Sequence, residues 1–214
     1  MKEQDPRPLD TLQDIRRMMQ RSSRFISLSG LSGVSAGVTA FAGSILAYRW
    51  IRYYHEMNSA DEDLFHNLVF RLLMLALVVL AIAVLSAFYF TWRKAKHHHL
   101  PLWDLTSRRL VGNMMIPLGA GGLLILAMLQ YDEWRFVSPA CLIFYGLALV
   151  NGSRYTLSDV KYLGLLQIFL GLANTQFPGY GLYFWATGFG LLHIVYGLIM
   201  WWKYDKEPAS AVKE

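Results

Sequence analysis

Two polar side chains occur inside long apolar stretches of this sequence, where such residues are rare. His193 is the only ionisable residue deep within any apolar segment, and Gln167 lies in the segment before it. Burial of such groups in hydrocarbon costs free energy, so they mark functional sites by default. Two roles are open for His193: a structural one satisfied by a hydrogen bond, and a site for a ligand, a proton or a metal ion. Both residues are candidate binding residues.

A third candidate binding residue, Arg71, lies about one turn inside another apolar segment. Long cationic side chains near the end of a membrane span commonly extend toward the lipid headgroups. The alternative is a buried ion pair or an anion site within a helix bundle. Arg71 is therefore grouped with His193 and Gln167.

Other chemistry is sparse in the sequence. It contains no phosphate loop, no Cys-x-x-Cys motif and no recognisable set of nucleophile, base and orienting residue. A bis-histidine haem would need a second histidine at the depth of His193, and none occurs. The histidines and acids of loop 55–66 match no known ligand spacing. The tract His97–His99 resembles a metal-chelating tract, but it also suits a solvated basic loop at the lipid surface. We predict no catalytic residue, no cofactor and no metal site, which favours a non-enzymatic protein.

The composition is that of a membrane protein. The 214 residues are 55% hydrophobic and 16% charged, whereas soluble chains have roughly a quarter charged residues. The single cysteine excludes a disulfide within the chain. Despite a pI of about 9.3, the long uncharged windows exclude a nucleic-acid-binding globular domain.

Six apolar segments predict an all-α polytopic membrane fold with six transmembrane helices. The fourth and fifth segments are short for ~30 Å of hydrocarbon, and a partly re-entrant pair is the alternative. Removing both would leave Arg154 and Lys161 inside the bilayer, so six spans are retained. The segments cover about 25–48, 68–92, 110–130, 136–150, 160–175 and 180–202.

The basic residues predict the orientation of these spans. Of the 20 Lys and Arg residues, 16 fall on the side of both termini and four on the opposite side. Basic residues accumulate in cytoplasmic loops, so both termini are predicted to be cytoplasmic. The high pI then reflects contact with the anionic inner leaflet. The chain divides into a head (1–24), a membrane domain (25–203) and a short tail (204–214).

The head predicts a short basic amphipathic helix. Asp10 and Gln13 form a start that resembles a capping box, and apolar residues then recur at helical spacing opposite several arginines. Such a helix either lies on the inner leaflet or docks a cytoplasmic partner, and the two are compatible. The expected partners are membrane lipid, a protein or a second copy of the chain, and not nucleic acid.

Small residues predict where the helices pack closely. Two stretches, 164–172 and 190–198, both have the pattern Gly-Leu-Leu-polar-Ile-x-x-Gly-Leu, which predicts a glycine seam between the fifth and sixth spans. The core is expected to comprise the first, third, fifth and sixth spans. Pro117 predicts either a hinge or a packed kink in the third span. The predicted packing glycines are Gly30, Gly33, Gly37, Gly164, Gly171, Gly190 and Gly197.

The stretches Phe25–Gly33 and Gly188–Gly197 resemble those of a family of small bacterial six-helix membrane proteins. The resemblance extends over most of the chain. It implies the fold and a bacterial inner membrane location, and it implies no activity and no site residues, because that family has no assigned activity.

Three functions follow from these features. The first is a non-enzymatic regulatory or sensory component that acts through the basic cytoplasmic face. The second is a small transporter or channel, suggested by Pro117, Gln167 and His193. The third is an intramembrane enzyme or cofactor carrier. A water-filled cavity that reaches His193 would favour the second, and a closely packed seam would disfavour it.

Overall fold

The computed structural model describes residues 29–57, 62–97 and 103–205, and these residues form six helices joined by short connections. A short 3-10 turn, Trp134–Phe136, precedes the fourth helix. The helices are α1 (Gly30–Glu56), α2 (Glu62–His97), α3 (Leu105–Gln130), α4 (Val137–Gly152), α5 (Val160–Gln176) and α6 (Gly181–Asp205).

The predicted all-helical fold is confirmed for this part of the chain, and five of the helices are long and apolar enough to cross a membrane. Helices suit a bilayer because each satisfies its own backbone hydrogen bonds. Helix α4 qualifies together with the 3-10 turn before it, as a span of 19 residues from Trp134 to Gly152, whereas α5, with 17 residues, is not among the five. The count of six spans and the orientation of the termini stay predictions.

The helix ends form two opposite sides of the bundle. Asp205, at the end of α6, accepts a hydrogen bond of 3.1 Å from Ser29, which precedes α1. We call the side that contains Ser29 and Asp205 the terminal side. On the opposite, distal side, the Tyr48 and Tyr183 rings lie 6.3 Å apart.

Helices α1 and α6 meet along a seam of glycines. A Cβ atom at Gly37 would lie 2.7 Å from the Gly190 carbonyl oxygen, and one at Gly197 would lie 2.5 Å from Val34 N. Such distances leave no room for a side chain, so the backbones themselves are in contact. Van der Waals packing of this kind holds helices together in lipid, where hydrophobic exclusion from water does not act.

Helices α4 and α5 form a second seam of the same type. A Cβ atom at Gly164 would lie 2.7 Å from the Gly146 carbonyl oxygen, and one at Gly171 would lie 2.6 Å from Ile143 Cγ1. The predicted glycine seam between α5 and α6 is therefore wrong. Gly164 and Gly171 of α5 face α4, whereas Gly190 and Gly197 of α6 face α1.

The remaining helices are peripheral. Helix α2 packs on α1, and α3 packs on α4. In both α2 and α3, only 6% of the residues in the most apolar stretch are buried. The prediction that α3 belongs to the glycine core is wrong, since Gly119 and Gly122 face open space and Gly121 alone touches Phe144. Its place in the core is taken by α4. Helix α3 is continuous through Pro117, so the hinge stays a prediction.

On the terminal side, α3 begins with a capping box. The Asp104 carboxylate accepts a 2.7 Å hydrogen bond from Ser107 N, which caps α3. Hydrogen bonds from the Ser107 side chain and backbone lower the pKa of Asp104. The predicted amphipathic head, residues 1–24, lies outside the described residues.

Candidate functional site

A polar cluster lies at mid-bundle where α4, α5 and α6 meet. The Tyr145 hydroxyl is 2.7 Å from His193 Nε2, and His193 Nδ1 is 2.9 Å from the Gly188 carbonyl oxygen. The same carbonyl oxygen accepts a 2.8 Å hydrogen bond from the Gln167 side-chain amide. Two of the candidate residues, His193 and Gln167, are thus brought together around one backbone oxygen.

These contacts determine the hydrogen-bonding state of the imidazole. A carbonyl oxygen only accepts, so His193 Nδ1 must carry the hydrogen that is directed at Gly188. In the neutral ring Nε2 is then an acceptor, and the Tyr145 hydroxyl donates to it. The Gln167 Nε2 atom lies 3.5 Å from His193 Nδ1, but both are donors in this arrangement, so that approach is no hydrogen bond. Both ring nitrogens have partners.

The cluster is closely packed. Gln167 is fully buried, and His193 is 7% exposed. The Phe189 ring stacks on His193 with centroids 6.0 Å apart. A Cβ atom at Gly188 would overlap Leu142 Cδ2 and lie 2.6 Å from Gln167 Oε1, so only glycine leaves room for the glutamine side chain there.

The local shape of α6 explains why Gln167 and His193 meet. Residues Ala186–Leu192 form a π-helical segment directly before His193. At the end of this segment the His193 ring and the Gly188 carbonyl oxygen, five residues apart, come within hydrogen-bond distance, and Gln167 donates to the same oxygen. Segments of this kind in α-helices are frequent at functional sites.

One polar atom of the cluster is left over. Within the described part of the chain, Gln167 Oε1 is buried and accepts no hydrogen bond. An unsatisfied buried acceptor costs free energy, so this oxygen is the one position in the cluster where another donor would be stabilised. Proton movement through His193 would require Tyr145 or Gly188 to give up its present hydrogen bond.

Two further groups of polar contacts lie toward the helix ends: one joins α4, α5 and α6, and the other joins Asp159, just before α5, to α6. On the distal side Ser138 donates to the Gly181 carbonyl oxygen at 2.7 Å and accepts from the Asn174 amide at 2.9 Å. On the terminal side Asp159 accepts hydrogen bonds from Lys203 Nζ at 2.7 Å and from the Tyr204 hydroxyl at 2.8 Å. The bond from Lys203, together with that from Tyr204, lowers the pKa of Asp159.

Asp205 forms a second junction on the terminal side. One carboxylate oxygen accepts from Gly30 N at 3.0 Å and from the Ser29 hydroxyl, and the other accepts from Lys94 Nζ at 2.6 Å. Asp205 and Lys94 are largely buried, with side chains 12% and 14% exposed. This junction joins the first turn of α1, the last turns of α2 and the end of α6.

Arg71 is not part of the central cluster. It lines a separate cavity of about 390 Å³ between the distal ends of α1 and α2. A larger, mainly apolar cavity of about 490 Å³ lies between α1, α2, α4 and α6 and contains Cys141 in its lining. Neither cavity reaches His193 or Gln167. Over residues 29–57, 62–97 and 103–205, no three metal-ligating side chains come together.

The residues of these sites that the sequence patterns do not mark include Tyr145, Gly188 and Asp205. Tyr145 lies in a segment with several aromatic residues, and nothing marks it as a partner of His193. Gly188 is one of many glycines, and its carbonyl oxygen, within the π-helical segment, accepts hydrogen bonds from Gln167 and His193. Asp205 is a single acid near the end of the chain, although its place beside a basic cluster is a weak signal for an ion pair.

No protein-family model, curated protein or solved structure matches this chain.

Proposed function

We propose that the protein is a non-enzymatic regulatory or sensory component of the bacterial inner membrane that acts through its basic cytoplasmic face. In this proposal the chain crosses the membrane six times and both termini are cytoplasmic. The 16 Lys and Arg residues on the side of the termini support that orientation. The terminal side is then the cytoplasmic side.

The observation that carries the proposal is the Asp205 junction. Ser29 and Gly30, which bond to Asp205, come shortly after the basic head (1–24) in the chain. A displacement of α1, α2 or α6 changes the geometry at Asp205 and so affects the start of α1, which follows the head in the chain. Because coupling between two sites is reciprocal, binding of a partner to the head also changes the geometry at Asp205.

The test is cross-linking of the full-length protein in its native membrane, followed by quantitative recovery of the cross-linked partner. Deletion of residues 1–20 is expected to abolish recovery. Asp205→Asn keeps an acceptor for Gly30 N but removes the charge that pairs with Lys94, and it should give intermediate recovery. Asp132→Asn is the matched control on the distal side. Unchanged recovery after the deletion would contradict the proposal.

A small transporter or channel is the second candidate, favoured by one observation. The unpartnered Gln167 Oε1 lies beside the π-helical segment Ala186–Leu192, where a change of helical register would open the cluster. The close packing at Gly188 weighs against it. Protection of the His193 ring from deuterium exchange at carbon over days would exclude a water-filled path, and rapid exchange would support one.

A further inference from the structure

The cavity next to Arg71 combines one cation with several aromatic rings. It lies between the last turns of α1 and the first turns of α2. Its volume is about 390 Å³, and its lining consists of Trp50, Tyr53, Tyr54, Leu64, Asn67, Leu68 and Arg71. Asn67 and Arg71 are four residues apart on α2, so they lie on one face of that helix.

Within the residues that the structure describes, no carboxylate pairs with Arg71. Two of the three other arginines on the distal side form ion pairs, Arg52 with Glu56 at 2.8 Å and Arg135 with Glu133 at 3.0 Å, whereas Arg49 has none in the described ranges. Among the residues that the structure describes, Arg71 has neither an ion-pair partner nor a hydrogen-bond partner. The cavity therefore presents a free guanidinium group beside the Asn67 amide and the Trp50 ring.

When α2 spans the membrane, the cavity lies at the level of the lipid headgroups. Arg71 immediately precedes a run of 21 uncharged residues, 72–92, which is long enough to cross the hydrocarbon core. Trp50 and Tyr53 are of the residue types that occupy the boundary between headgroups and acyl chains. Arg71 therefore lies at the edge of the hydrocarbon, where a soluble anion would be less concentrated than a lipid headgroup.

An apolar track continues from Arg71 along the same face of α2. Positions three, seven, eleven and fourteen residues further on share this face. The side chains there are between 46% and 68% exposed: Met74, Val78, Ile82 and Leu85. This track has the length and the chemistry of an acyl chain that extends from a headgroup held at Arg71.

We propose that this cavity is a binding site for an anionic phospholipid on the distal side of the membrane. The Arg71 guanidinium group forms paired hydrogen bonds with the phosphate oxygens, as its planar geometry favours. Asn67 and the Trp50 N–H group are further donors to the headgroup. The acyl chains follow the track below Arg71. The site is separate from the basic terminal side and does not depend on the function proposed above.

The proposal is tested with purified full-length protein in detergent, titrated with dioleoyl phosphatidylglycerol and observed by native mass spectrometry. Dioleoyl phosphatidylcholine and dioleoylglycerol are the comparison lipids. Arg71→Gln should weaken phosphatidylglycerol binding roughly fivefold, which corresponds to one cation near the lipid charge. Arg71→Lys keeps the charge but not the paired hydrogen bonds, so its affinity for phosphatidylglycerol should lie between those of the unmodified protein and Arg71→Gln.

The matched control is Arg49→Gln. Arg49 is on the distal end of α1, does not line the cavity and also has no ion-pair partner in the described ranges. It should leave phosphatidylglycerol binding unchanged. Equal losses for Arg49→Gln and Arg71→Gln would overturn the proposal, because general surface charge would then explain binding. Equal affinity for phosphatidylglycerol and dioleoylglycerol would overturn it as well.

A final arm distinguishes a lipid from a soluble anion. Glycerol 3-phosphate and inorganic phosphate at millimolar concentration should not displace phosphatidylglycerol, since neither can occupy the apolar track. Displacement by either compound at that concentration would contradict the assignment to a lipid and would indicate a soluble phosphate as the ligand.

Discussion

The polar cluster around His193 and the cavity around Arg71 are two opposite solutions to the cost of polar groups in a membrane protein. At His193 both ring nitrogens have protein partners, and the side chain is 7% exposed. At Arg71 the guanidinium group is exposed and, in the described part of the chain, unpaired. A buried group must be satisfied by its own protein, whereas a group at the membrane boundary is free to bind lipid. The comparison predicts that changes in the cluster alter stability and that changes at Arg71 alter binding.

The largest effect is expected from Gly188→Ala. The added methyl group overlaps Leu142 and displaces Gln167 Oε1, and overpacking of this kind costs about 1–3 kcal/mol. Thermal unfolding of the purified protein in detergent measures the loss. Gly119→Ala is the control, since nothing lies within 4 Å of a Cβ atom there, and its stability should be unchanged or slightly raised. Equal losses at both positions would show that the cluster is not closely packed.

A smaller loss of stability is expected when the Tyr145–His193 hydrogen bond is removed. A double-mutant cycle with Tyr145→Phe and His193→Ala isolates the interaction of the two side chains. Hydrogen bonds between membrane helices average about 0.6 kcal/mol and reach about 1.7 kcal/mol in such cycles. A coupling energy in that range is expected from unfolding measurements. Strict additivity of the two single variants would contradict the assigned contact.

The ion pair of Asp159 with Lys203 is more exposed than the His193 cluster, so its effect on stability should be smaller and should depend on pH. Because the pKa of Asp159 is lowered in the folded protein, its contribution to stability is present above the unfolded pKa, about 3.9. That contribution is lost as the pH falls through the lower folded value. Asp159→Asn should therefore reduce the loss of thermal stability between pH 6 and pH 3. An unchanged pH dependence would show that the Lys203 contact contributes nothing measurable.

The smallest effect on stability is expected from Arg71→Gln. An exposed side chain without protein partners contributes little to folding, so the free energy of unfolding should change by no more than about 0.5 kcal/mol. The same purified samples that are used for lipid binding serve for this measurement. A loss of several kcal/mol would mean that Arg71 is part of the folded core, and the contrast with His193 would then fail.

The helical fold was predictable because a long apolar segment in lipid must satisfy its own backbone hydrogen bonds, and an α-helix does so within the segment. Glycine positions predicted close packing, but not which helix each glycine faces. The assignment of α3 to the core was wrong because glycines on a peripheral helix resemble those of a seam. The pairing of Gln167 with His193 depends on the π-helical segment at Ala186–Leu192, and no residue pattern signals that change of helical register. Asp205 was missed because a single acid does not identify its distant partners.

The orientation and the number of crossings are tested most directly by labelling of single cysteines in a Cys141→Ser background. A membrane-impermeant maleimide is applied to intact cells that express either Tyr180→Cys, on the distal side of α5, or Ser158→Cys, on its terminal side. We expect Tyr180→Cys to be labelled in intact cells and Ser158→Cys to be labelled only after the cells are permeabilised. Labelling of Ser158→Cys in intact cells, or the same accessibility at both positions, would contradict six crossings with cytoplasmic termini.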